Sequence, residues 1–109
     1  MSSVNSFEER QKAFENKYKH DQDMLFRILS RRARLTGLWA AEHLGLKGAE
    51  ANSYALQVVD VDLDEPGHMD MVRKIKGDFE LKNIEISEHR IEREMERLLN
   101  VAREQVTTE

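Results

Sequence analysis

DQDMLFRILSRRARLTGLWAAEHLG, residues Asp21 to Gly45, is the stretch that decides the fold. Leu25, Ile28, Leu35, Leu38 and Trp39 fall along one helical face, and Gly45 stands where a helix C-cap is wanted. The spacing predicts a helix over about residues 21–44. Gly37 lies inside it, and a glycine there costs about 1 kcal/mol against alanine, which points to close approach of a neighbouring helix in the region of Trp39.

Outward from this helix, strand signals are nearly absent and helical spacing recurs. GLKG, residues 45–48, reads as a short turn into a second helix over about 49–61, with Tyr54, Ala55, Val58 and Val61 as its apolar members. DLDEPGH ends it, because Pro66 restricts Glu65 and Gly67 opens a turn. A third helix over about 69–81 places Val72, Ile75 and Phe79 three and four apart. The fourth, over about 88–104, starts at Ser87 as N-cap with Ile86 and Ile91 in hydrophobic-staple positions, and continues through Met95, Leu98, Leu99 and Ala102. Short connections favour an all-α, compact four-helix bundle over residues 21–106. The expected core is Leu25, Leu35, Trp39, Tyr54, Val58, Val72, Ile75, Phe79, Ile91, Met95 and Leu98.

Composition bounds the function. The chain has 109 residues, 35% of them charged, enough for one modest domain. It has no cysteine, which excludes disulfides, thiolate metal sites and thiol nucleophiles. No signal-peptide run and no window near the ~20 apolar residues of a membrane span is present, so a cytoplasmic protein without direct membrane insertion is expected. Net charge is -4. Residues 1–34 hold eight Lys/Arg against five Asp/Glu, whereas residues 35–109 hold nine against sixteen. The opposite signs suggest a partner contact made by the N-terminal third, and the overall acidity argues against general nucleic-acid binding.

Catalytic and metal chemistry find little support. His20, His43, His68 and His89 include no pair spaced for metal ligation on one helix. GLKG lacks the Lys-Ser/Thr pair of a phosphate-binding loop. Asp60, Asp62 and Asp64 read as a solvated helix end. Neither a metal nor an enzyme activity is expected. Arg31, Arg32 and Arg34 are the one basic cluster, and a small helical DNA-binding regulator is the alternative function they suggest. Within a helix, however, they fan around the axis, with no aromatic or Asn/Gln set nearby to read bases.

SFEERQKAFENKYKHD, residues 6–21, is different in kind. Ser6 and Glu9 have capping-box spacing, and Phe7, Phe14 and Tyr18 fall within about 40° of one another at 100° per residue. Around this narrow aromatic seam lies a mixed-charge surface. A helix of this length is marginal alone in water, so the seam either docks on the bundle or awaits a partner.

FEERQKAFENKYKHD together with GLWAAEHLG resembles the start of the alphaproteobacterial zeta subunit, the inhibitor of the F-type ATP synthase. The pattern matches at Phe7, Arg10, Ala13, Phe14, Glu15, Lys17, Tyr18, His20 and Asp21, with further matches at Arg31 and Arg32, Tyr54 to Leu56, Asp64 to Gly67 and AREQ at 102–105. Ile28, Leu29 and His43 depart from it. The resemblance implies a regulator in place of a catalyst. Its N-terminal arm, residues 1–20, would be flexible and disordered when free, and would enter a catalytic alpha/beta interface near gamma to block ATP hydrolysis. By residue matching, Phe7, Arg10, Phe14, Glu15, Lys17 and Tyr18 would belong to the inhibitory arm. The resemblance further implies a monomer when free, at the cytoplasmic face of the inner membrane through the synthase. It implies no required cofactor. Family members are also linked to adenine nucleotide binding, for which no local motif places a site.

Overall fold

The computed structural model describes residues 3–64 and 67–109, with side chains from Ser6 onward. The expectations for Glu65 and Pro66 lie outside the described residues. Four helices follow one another: α1 Ser3–His43, α2 Gly48–Asp64, α3 Met69–Leu81 and α4 Glu88–Thr108.

The helix ends are set by local chemistry. Gly45 takes φ +78°, its N–H donating to Glu42 O at 3.1 Å and that of Leu46 to Ala41 O at 2.9 Å, the paired bonds of a Schellman cap. α3 ends the same way with Asn83 at φ +58°, where Ile84 N–H donates to Phe79 O at 2.9 Å. At α4 the Ser87 side chain accepts from Arg90 N–H at 3.1 Å, with Ile86 and Ile91 both buried.

α1 packs mainly along α2 and α4, while α3 closes the core from the other side. The main cluster joins Ala33, Ala40, Ala41 and Leu44 of α1 to Tyr54, Val58, Met71, Val72, Ile75, Phe79, Ile91 and Met95. A smaller one holds α1 to the end of α4 through Ile28, Ala102 and Val106. Trp39, His43 and Phe79 pack edge to face, with centroids 4.9 to 6.1 Å apart. His43, the departure from the family pattern, thus contributes a ring to this cluster.

Gly37 admits α2. A Cβ built there would lie 2.7 Å from Ala55 Cα and 3.2 Å from Val58 Cβ. The close approach expected near Trp39 is therefore to α2, at Ala55. Thr36 is fully buried and stays satisfied by donating to Arg32 O at 2.7 Å.

Three expectations are corrected. α1 is not confined to about residues 21–44: the helix runs unbroken back to Ser3, so Ser6 is interior to it and is not its N-cap. α2 and α4 likewise extend three and four residues past the expected 61 and 104. Leu25 is not core: its neighbour Met24 packs against the α1–α4 cluster, but Leu25 lies on a face of α1 that no other helix covers and is left 52% exposed. The molecule measures 71 × 24 × 21 Å with a radius of gyration of 18.8 Å, well above the ~13 Å of a compact chain of this length. The bundle itself is packed; the excess comes from the half of α1 that projects beyond it.

Candidate functional site

Every described side chain from Ser6 to Asp23 is exposed, and Met24 is the first that is half-buried. Glu8 with Lys12 and Glu15 with Lys19 have the acid-before-base i,i+4 spacing that suits a helix, although neither closes into an ion pair among the described residues. Tyr18 Oη accepts from Gln22 Nε2 at 2.8 Å. The projection also grows from a folded body, so no new helix nucleus has to form.

On this helix Phe7, Phe14 and Tyr18 are 68%, 72% and 59% exposed. Leu25 extends the same line: at 100° per residue it returns to the azimuth of Phe7 after eighteen residues, about 27 Å along the axis. Sequence reasoning missed it as a seam residue by assigning it to the core; the signal was the 7, 14, 18, 25 spacing. The charges flank this line asymmetrically. Arg10 and Lys17 fall on one side of it, Glu8 and Glu15 on the other. Among the described residues, Arg10, Glu15 and Lys17 take part in no ion pair or side-chain hydrogen bond. All six residues expected in the arm therefore sit together on one projecting, unpartnered helix surface.

Where α1 leaves the bundle, it is paired with the end of the chain after α4. Arg27 Nη2 lies 3.1 Å from Glu109 Oε2, and Arg31 pairs with the same carboxylate and donates to Gln105 Oε1 at 2.9 Å. The Arg31 hydrogen bond, with the charges of Arg31 and Arg27, holds the Glu109 carboxyl below its ordinary range. Of the basic cluster, then, Arg31 is engaged within the fold. Arg32 is half-buried with its Nε enclosed near Asp62, and only Arg34 is exposed. They make no common stripe for a nucleic-acid groove.

The remaining titratable cluster is structural. Tyr54 Oη donates to Asp78 Oδ2 at 2.7 Å and Lys74 Nζ donates to the same oxygen at 3.1 Å. Burial, then the hydrogen bond and charge of Asp78, push the Tyr54 hydroxyl far above its ordinary range. Among the described residues no group of His, Asp and Glu is arranged to hold a metal ion, and no helix is long and apolar enough to cross a membrane.

The profile of the ATPase inhibitor subunit zeta family matches residues 4–105, nearly the whole chain and including the exposed seam. The chain belongs to that family. A protein with a solution NMR structure is similar at 42% identity and a TM-score of 0.69, covering 78% of this chain and 96% of its own. No curated protein matches. As a zeta-family chain, this protein is a member of a group of ATPase inhibitors, and its projecting helix is the feature to be explained.

Proposed function

We propose that this zeta-family protein inhibits ATP hydrolysis by the F-type ATP synthase by inserting the N-terminal part of α1 at a catalytic alpha/beta interface near gamma. The observation that carries this reading is the seam of Phe7, Phe14, Tyr18 and Leu25, each more than half exposed on a helix that its own bundle leaves uncovered. In water the seam is a standing cost, and burial against a partner returns about 1.5–3 kcal/mol for each large side chain fully covered. Arg10 and Lys17 on one flank and Glu15 on the other supply charge-assisted contacts that fix the register. Before binding, the chain is a monomer, and the bundle tethers the arm to the enzyme at the cytoplasmic face of the membrane. The protein itself is a regulator and needs no cofactor; adenine nucleotide binding, which the family resemblance implies, is tested by calorimetric titration of the whole chain with ATP and ADP.

The experiment compares the whole chain with one lacking residues 1–19, and with Phe14→Ala, in hydrolysis assays on the purified catalytic head. Phe14→Ala should weaken inhibition by about 2 kcal/mol, roughly thirtyfold, while its melting temperature stays unchanged because the ring packs on nothing in the fold. Equal inhibition by all three forms would overturn the arm mechanism.

A further inference from the structure

α1 and α2 leave a second apolar surface apart from the arm. On α2, Leu56, Val59 and Leu63 follow the three-four spacing of a helix-packing stripe, yet Leu56 is 62% and Leu63 50% exposed. Phe26 of α1, 57% exposed, stands between them. It lines one groove with Leu56, Val59 and Arg34, and an adjoining one with Leu29 and Leu63. Each groove encloses about 300 Å³. Single exposed leucines need no explanation, but large side chains contiguous across two helices do.

The rim of the first groove is basic. Arg27 and Arg31 share the single carboxylate of Glu109 there, whereas Arg34 is exposed and has no ion-pair partner among the described residues. In a chain of net charge -4, an exposed guanidinium without an ion-pair partner beside an apolar groove matches a carboxylate on an apolar segment. A phosphate backbone would have to displace Glu109 from Arg27 and Arg31 before it met more than one cation.

We propose that this surface receives an amphipathic helix of the inhibited enzyme, apolar at i, i+3 or i+4, and i+7, with a carboxylate placed to meet Arg34. The proposal rests on the reading of the ATP synthase as partner and adds a contact separate from the seam. The stripe from Leu56 to Leu63 spans about 10 Å, two helical turns, too little surface to bind tightly alone. Leu25 at the end of the seam and Phe26 at the edge of the groove are consecutive residues of one helix. Engagement of either surface therefore raises the effective concentration of the other.

The test measures affinity of the full chain for the purified catalytic head by biolayer interferometry. The variants are Leu56→Ser with Leu63→Ser, Arg34→Glu, Arg34→Lys and Phe14→Ala, each also assayed for inhibition. The leucine pair and Arg34→Glu should each weaken binding at least fivefold, with Arg34→Lys retaining more than Arg34→Glu. A smaller loss in both overturns the proposal. Should the leucine pair lower the melting temperature, Arg34→Glu, on an exposed side chain, decides alone. If the groove variants bind as the parent does while Phe14→Ala loses inhibition, the groove fails and the arm reading stands. If the groove variants lose binding while Phe14→Ala inhibits fully, the arm reading fails and the groove stands. Duplex DNA shifted by the parent and not by Arg34→Glu, with head binding unchanged, would assign the rim to nucleic acid and overturn the proposal.

Discussion

Replacing Gly37 by alanine separates two effects that usually act together. In a helix interior the added methyl should stabilise by about 1 kcal/mol through propensity alone. Here the new Cβ would stand 2.7 Å from Ala55 Cα and 3.2 Å from both Ala55 Cβ and Val58 Cβ, against a comfortable carbon separation of about 3.5–4.0 Å. The nearest atom is main chain, so no rotamer change relieves the overlap; α2 must move away by about 1 Å to restore that separation. Overpacking of this kind costs about 1–3 kcal/mol, and a clash with backbone puts it at the upper end. After the propensity gain, a net loss of about 2 kcal/mol remains, a fall in melting temperature of roughly 8–16 °C for a domain this size. Gly77 supplies the control. It also lies within a helix, yet a Cβ there meets nothing within 4 Å, so Gly77→Ala should gain up to about 1 kcal/mol. Adding Ala55→Gly to Gly37→Ala should recover little, because the overlap with the main chain of residue 55 persists. Circular-dichroism melts of the four proteins decide it: Gly37→Ala as stable as the parent would refute the close-approach reading.

Two further perturbations probe the ends and the charges of the fold. Ser87→Ala removes the acceptor for Arg90 N–H and should cost about 1 kcal/mol, read as a lower urea midpoint with unchanged slope; no shift would mean that the staple of Ile86 and Ile91 suffices. Burial raises the Asp62 carboxyl above its ordinary range, against the opposing charges of Arg32 and His68. A raised carboxylate contributes its stability at pH below the ordinary aspartate value and loses it as pH rises through the raised one. Asp62→Asn should therefore melt higher than the parent at neutral pH, with the advantage closing as the solution is acidified below about pH 4; an advantage that does not change with pH would contradict that sign.

Large apolar residues at helical spacing made much of the bundle legible in advance. Tyr54, Val58, Val72, Ile75, Phe79, Ile91, Met95 and Leu98 were expected inside and are buried. The small-residue face of α1 was not legible. Ala33, Ala40 and Ala41 are fully buried, but a methyl group removes so little surface from water that hydrophobic patterning passes over it. They matter because their size lets the helices packed on α1 come close. Arg31 was equally opaque, since its partners Gln105 and Glu109 lie more than seventy residues away.

The sequence by itself determined four helices, their caps at Gly45 and Ser87, and an aromatic seam near the N-terminus, because periodicity and capping depend on neighbours within a turn or two. Only the tertiary structure, through the packing of α4, decided which face of α1 is covered near the end of the bundle. Leu25 and Ile28 are both apolar and both helical, but Ile28, like Met24, packs on the cluster with Ala102 and Val106 of α4, while Leu25 lies on the uncovered line of Phe7, Phe14 and Tyr18. Which of two similar residues is buried and which is left exposed depends on the side of α1 that α4 covers, and no local pattern in α1 carries that.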